Sequence, residues 1–195
     1  MTLSRHLRAA PPAEGSAAVT IMERIFVSLG SNIEPEENLR RGLELLGETV
    51  EVLRISTVYR SAAWGRPEQE PFLNAVAEIQ TPLPPVELRG KLREIEARLG
   101  RQRTADKFAP RTLDIDLIVY GRRQETQGEL WLPDPEIAER PFLVVPLAEL
   151  DPELRLPGRT ETVAEMATWL TGAGLTALAE YTAELRKVLN GSREG

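Results

Sequence analysis

The run Leu113-Asp114-Ile115-Asp116-Leu117 alternates strictly between aliphatic and acidic side chains, an order that suits an extended strand with one face in a core and the other in water. In such a strand residues i and i+2 point the same way. Asp114 and Asp116 therefore share a face, while Leu113, Ile115 and Leu117 face the core. Two hard carboxylates on one face suit Mg²⁺, which binds through one or two carboxylates and completes its shell with phosphate oxygens and water. Arg101, Arg103, Lys107 and Arg111 lie just upstream, four cations against the single acid Asp106. Guanidinium forks match phosphate oxygens, so the segment reads as a phosphate-and-metal site for a nucleoside triphosphate. Alternating acids also occur on strands that simply have a wet face, and the reading needs support from the rest of the chain.

That cationic cluster stands out because the whole chain is acidic, with 30 Asp and Glu against 24 Lys and Arg and a net charge of −6. The balance argues against a general nucleic-acid binder. There is no cysteine, which removes disulfides and thiolate metal ligands. The one histidine, His6, lies near the N-terminus, so no histidine base is available in the core. A P-loop is excluded as well: Lys91, Lys107 and Lys187 are the only lysines, and none precedes Ser or Thr. No apolar run approaches the roughly 18 residues of a spanning helix, and the first twenty residues lack a secretory apolar stretch. A cytoplasmic chain with no membrane contact is expected, its 195 residues suiting one well-buried core.

Periodicity predicts a strand over 23–29 ending at Gly30, then a helix opened by Pro35 and running through Gly47 on a stripe of Leu39, Leu43, Leu45 and Leu46. Strands are expected over 50–60 and 72–80, separated by a loop holding Trp64, Gly65 and Pro67. A second helix spans 84–99 with Val86, Leu88, Leu92, Ile95 and Leu99 buried, stopped by Gly100. A strand over 112–120, a hairpin over 122–132 through Gly128, short elements over 133–150 and a helical region over 162–189 complete the chain. The order β-α-β-β-α-β implies an α+β fold: a ferredoxin-like antiparallel sheet with helices packed on one face, plus C-terminal additions.

Four blocks, VSLGSN (27–32), STVYRSAAWG (56–65), PFLNAV (71–76) and PRTLDIDLIVYG (110–121), resemble in order and separation the 6-hydroxymethyl-7,8-dihydropterin pyrophosphokinase family. The resemblance runs from about residue 23 to about residue 156, and PRTLDID is its most specific part. It implies an Mg²⁺-dependent diphosphotransferase of folate biosynthesis, in which the hydroxymethyl group of a reduced pterin attacks the β-phosphorus of ATP and AMP leaves. It implies ATP and the pterin as partners, with no obligate protein partner. Residue by residue, Asp114 and Asp116 match the metal ligands, for two ions, and Arg101 and Arg111 match catalytic arginines on the triphosphate. Arg103, Glu96 and Arg140 match nucleotide-side positions. Asn74 matches the asparagine that reads the pterin edge, and Phe72 and Phe142 match the two rings that sandwich it. Ser61 and Trp64 fall on the loop lining the same pocket, and Phe108 falls on the lid aromatic.

On this resemblance residues 22–170 form the pyrophosphokinase domain, 1–21 a disordered extension with Met22 as an alternative start, and 171–195 a C-terminal helical extension. The loop over 101–110, with no apolar periodicity to anchor it and cations that repel one another, is expected to be open without ligand and closed over both substrates. One position departs from the pattern: Asp134 stands where the family commonly has a histidine on the triphosphate, so it turns away, binds through metal or water, or weakens nucleotide affinity. Two other classes are weighed. A non-catalytic nucleotide- or pterin-binding module could use the same scaffold, but would not need the paired aspartates. An RNA-binding module would want basic and aromatic residues on its strands, where this chain has Asp114, Asp116 and Glu78.

Overall fold

The computed structural model of the chain describes residues 23–102, 106, 108–170 and 174–191. The N-terminal extension and two members of the cationic cluster, Arg103 and Lys107, lie outside those residues. In chain order the elements are β1 (Ile25–Ser31), α1 (Pro35–Thr49), β2 (Glu51–Ile55), β3 (Tyr59–Ser61), β4 (Phe72–Gln80), α2 (Pro85–Arg98), β5 (Asp114–Tyr120), β6 (Glu125–Gln127), β7 (Leu130–Leu132), α3 (Pro141–Leu150), α4 (Val163–Trp169), β8 (Thr176–Ala177) and α5 (Ala179–Gly191). A 3₁₀ turn, Pro135–Ala138, precedes α3.

The main sheet is antiparallel in every pairing, in the order β5-β1-β4-β3-β8 with β2 also on β4. The α+β class and the β6–β7 hairpin follow the sequence expectation. Pro35 opens α1, where its fixed φ is already helical and its missing N–H is not needed. Leu39, Leu43 and Leu46 then bury one stripe, with Leu45 packed at its margin. In α2 the buried stripe is Leu88, Leu92 and Ile95, with Leu99 at its end; Val86 is 48% exposed and Pro85 takes the inward place instead.

Several expectations are corrected. The sheet is covered on both faces: α1, α2 and α5 share one apolar cluster with Val27, Leu29, Ala77 and Ile115, while α3 and α4 cover Phe26, Val76 and Val119 on the other side. The strand expected over 50–60 is two strands, because Ser56, Thr57 and Val58 bulge away from β4. β1 does not stop at Gly30 but runs through it to Ser31, since ladders on both sides hold the glycine backbone extended. Residues 133–150 contain the ten-residue helix α3, and residues 162–189 divide into α4, β8 and α5. The α4 start is fixed by a capping box, Thr162 and Glu165 each accepting from the other's backbone N–H. Glu78, on a strand face, is buried between Arg24 and Arg54; burial pushes its carboxyl up, but the two guanidinium groups hold it below the usual range.

Candidate active site

Gly30 is the centre of the site. In the ladder it lies directly opposite Asn74 of β4 on one side and Asp114 of β5 on the other. Direct cross-strand partners share a face, so Asn74 and Asp114 look out together, two strand spacings or roughly 10 Å apart. The residue between them has no side chain. A Cβ on Gly30 would come within 2.9 Å of Asn74 Oδ1 and 3.9 Å of the Phe72 ring. One row further along, Ser28 lies opposite Asp116. α3 covers this sheet face only from Pro141 onward, and beyond its first turn the face opens into a cavity of about 320 Å³. Ser61, Trp64, Phe72, Asn74, Phe108, Arg111, Asp114, Asp116, Arg140 and Phe142 all line it. Gly30, Gln69 and Glu136 join them, residues to which the sequence reading gave no role; a glycine inside the VSLGSN strand was the signal available for the first.

Among the described residues β5 is an edge strand, with no strand on the outer side of its N–H and C=O groups. The end of α2 takes that place. Glu96, 1% exposed, accepts the Ile115 N–H at 3.0 Å, between the two aspartates. Arg101 donates to the Leu113 carbonyl at 2.9 Å and pairs with Asp114 Oδ1 at 2.8 Å, and Arg111 pairs with the other Asp114 oxygen. Glu96 and Arg101 therefore stand behind the aspartates and do not line the cavity, whereas Arg111 and Arg140 do. Arg103 lies outside the described residues. The end of β1 locks the same segment from inside: Asn32 Oδ1 accepts the Arg111 N–H at 2.7 Å, Asn32 N–H donates to the Arg111 carbonyl, and Ser31 Oγ donates to the Thr112 carbonyl at 2.6 Å.

Asp116 is exposed to solvent where it lines the cavity. Desolvation by the protein packed around its carboxyl, with the charges of Asp114, Glu96 and Asp134 acting in the same direction and Arg111 opposing them, pushes it up to about 7. Such a crowd of anions is what a divalent cation relieves. Among the described residues no group of three or more His, Cys, Asp or Glu is arranged around a metal position. The donor set fits Mg²⁺ only as a carboxylate pair completed by substrate oxygens and water. Asp134 lines the cavity, but one carboxylate oxygen accepts the Glu136 N–H at 2.8 Å and caps the 3₁₀ turn, while its own N–H donates to Ile118 O. Burial raises its carboxyl above the usual range.

The opposite wall is assembled from separate elements. Asn74 Nδ2 donates to Ser61 Oγ at 2.9 Å, both side chains buried. Phe72 begins β4 and Phe142 occupies the first turn of α3. The Arg140 guanidinium lies 4.0 Å over the Trp64 ring and pairs with Glu136 at 3.3 Å. The expected opening of the 101–110 loop falls partly on residues outside the described set. Of its described members, Asp106 pairs with Arg66, and the Phe108 carbonyl accepts from Gln69 at 2.8 Å. The Phe108 ring sits so close to Gly65 that a Cβ there would be 3.3 Å away. A second space of about 410 Å³, lined by Arg89, Leu130 and the exposed Trp131, shares Asp116 and Asp134 with the first.

Residues 26–152 match the family described as 7,8-dihydro-6-hydroxymethylpterin-pyrophosphokinase (HPPK). The 2-amino-4-hydroxy-6-hydroxymethyldihydropteridine pyrophosphokinase of Synechocystis sp. is 40% identical over 159 residues, covering 76% of this chain and 80% of that protein. The enzyme of the same name from Methylorubrum extorquens is 39% identical over 157 residues, 79% of this chain and 98% of its own length. Among solved structures, wild-type Plasmodium falciparum HPPK-DHPS with pterin and p-hydroxybenzoate superposes with a TM-score of 0.61 over 75% of this chain at 11% identity, a likeness of fold alone. This chain spans 43% of that longer one.

Proposed function

The chain belongs to the 7,8-dihydro-6-hydroxymethylpterin-pyrophosphokinase family and transfers pyrophosphate from ATP to hydroxymethyldihydropterin in folate biosynthesis, and we propose that the cavity across Gly30 is where the two substrates meet. The observation that carries this is the placing of Asn74 and Asp114 on either side of that glycine, on one sheet face. The pterin lies on the Asn74 side, its edge read by the asparagine amide and its faces covered by Phe72 and Phe142. The triphosphate lies on the Asp114–Asp116 side, where Arg111 reaches the cavity and Arg140 faces it from the wall that holds Trp64, and the nucleoside extends toward the space beside Trp131.

Asp114 and Asp116 would hold Mg²⁺, two ions in the fullest form of this reading. The chemistry supplied by a cation held there would be neutralisation of phosphoryl charge and a lower pKa for the incoming hydroxyl. Displacement at phosphorus asks the protein for alignment and charge stabilisation more than for covalent chemistry. Glu96 and Arg101 accordingly fix the strand that carries the aspartates, and Asn32 fixes Arg111. Arg111 then meets the charge that moves toward the departing AMP. Phe108, against Gly65, closes the pterin side. Among the described residues no helix is long and apolar enough to cross a membrane, and we assign the reaction to the cytoplasm.

The test is AMP formation from ATP with and without 6-hydroxymethyl-7,8-dihydropterin, in Mg²⁺ and in EDTA. Pterin-dependent AMP that EDTA abolishes is the expected result. Binding of both ligands without AMP would leave a non-catalytic module instead.

A further inference from the structure

The family match ends at residue 152, yet β8 and α5 lie beyond it, β8 joining the same sheet and α5 packing against it through Leu185 and Leu189. They meet it at the interruption between β2 and β3. Ile55 lies opposite Ala77 and Tyr59 opposite Asn74, so residues 56–58 are three against the two β4 residues they face. The extra residue makes a bulge, and a bulge leaves backbone groups that a ladder cannot satisfy. Those of Val58 and the Thr57 N–H are met from distant parts of the chain. Ser56 closes on Val76 through its own N–H and its hydroxyl. Glu149 of α3 accepts the Thr57 N–H at 2.8 Å. The buried Val58 has both its groups taken by the C-terminal segment: Thr182 Oγ1 accepts its N–H at 2.9 Å, and Leu178 N–H donates to its carbonyl at 2.9 Å. Thr182, 2% exposed, donates its own hydroxyl to the Leu178 carbonyl at 2.7 Å.

β3 starts at the next residue, and its outer edge is taken by β8, with Tyr59 opposite Ala177 and Arg60 opposite Thr176. Its last residue is Ser61, whose hydroxyl receives the Asn74 amide.

We propose that Thr182 is a positioning residue for the pterin: by fixing Val58 it sets β3, and through Ser61 it sets Asn74. This rests on the reading that the Asn74 wall binds the pterin. Thr182 touches no substrate. Its hydroxyl is the only part of its side chain that both accepts from Val58 and donates to Leu178, so an isosteric change removes the bond while keeping the shape.

Thr182→Val, Thr182→Ser and Asn74→Ala are compared by steady-state kinetics at a temperature where near-ultraviolet circular dichroism shows each folded. Thr182→Val raises the pterin KM about three- to tenfold, the size of one hydrogen bond, with the ATP KM unchanged, and Thr182→Ser restores it. An unchanged pterin KM in folded Thr182→Val, or an equal rise in both KM values, overturns the proposal. If Asn74→Ala itself leaves pterin binding intact, the underlying reading fails and the proposal with it; if Asn74→Ala weakens pterin binding and Thr182→Val does not, only the proposal fails. Should Thr182→Val not fold, the unmodified protein gives the reciprocal measurement, because a coupling between two sites acts both ways. Saturating pterin then slows hydrogen exchange at Leu178 and Thr182, and unchanged exchange there overturns the proposal.

Discussion

The two walls of the cavity are built in opposite ways. The acidic wall centres on one short stretch, residues 111–116, and the shared direction of Asp114 and Asp116 follows from strand alternation. The wall across Gly30 is gathered from β3, β4, the 62–71 loop and α3, and no local rule brings Ser61, Asn74 and Phe142 together. The acidic wall is held by the guanidinium groups of Arg101 and Arg111 on Asp114 and by the hydrogen bond from the Ile115 N–H to the buried Glu96. The other is held by packing and by hydrogen bonds to a bulge. A contiguous charged segment can be damaged chemically while the fold stays intact, whereas an assembled wall is sensitive to small displacements anywhere in its support.

The largest effect that tests this contrast is on the acidic wall. Asp116→Ala is expected to lower kcat by about 10²-fold or more, with pterin affinity by calorimetry close to that of the unaltered protein and the circular dichroism spectrum unchanged. Near-normal turnover in the folded variant would remove the metal role. On the other wall, Asn74→Ala leaves pterin polar groups unpaired and should cost about 1–3 kcal/mol of pterin binding, with little change for a non-hydrolysable ATP analogue. Equal losses for both ligands would erase the distinction between the walls. Gly30→Ala sits between them. Its Cβ displaces Asn74 Oδ1, and an overpacking cost of about 1–3 kcal/mol should appear in pterin binding first; a variant that binds pterin normally would show that the amide moves without consequence.

A pH series sharpens the electrostatic side. Burial and the charges of Asp114, Glu96 and Asp134 push the Asp116 carboxyl up to about 7, so on the proposed metal role protons would compete with Mg²⁺ below that value. Mg²⁺ affinity should be about tenfold weaker at pH 6 than at pH 8 and level above it. Because this folded-state value lies above the unfolded one, the group's contribution to stability of the metal-free protein is fully present below about pH 4 and is lost as pH rises through 7. Flat metal affinity from pH 6 to 8 would contradict the crowding of Asp116 by its neighbours. The smallest expected effect is Glu96→Gln. A neutral amide oxygen still accepts the Ile115 N–H, so stability by denaturant titration should change by less than about 1.5 kcal/mol. A loss as large as that of Glu96→Ala would mean that the charge, not the acceptor, holds the strand.

Read from the sequence, β5 and its two aspartates were determined outright, because alternation with period two fixes the face of every side chain once one face is apolar. The helices α1 and α2, the glycine stop after α2 and the β6–β7 hairpin were legible for the same kind of reason: their periodicity and turn residues act over a few neighbours. The antiparallel α+β class followed from the order of those elements. The resemblance, and not periodicity, supplied Asn74, Phe72 and Phe142. Nothing local marked Gly30 as a floor, since a glycine in a strand reads as its end until ladders on both sides hold it extended. The bulge at Ser56–Val58 was equally hidden, because the Thr57 N–H and both Val58 backbone groups are satisfied by Glu149, Leu178 and Thr182, which lie about 90 residues or more away in the chain. Helices on both faces, Asp134 turned onto its own 3₁₀ turn and Glu96 drawn inward to the strand edge were likewise decided by tertiary structure. A short sequence window specifies which groups a segment offers, but their partners at such separations are chosen by the packing that first brings them within hydrogen-bond reach.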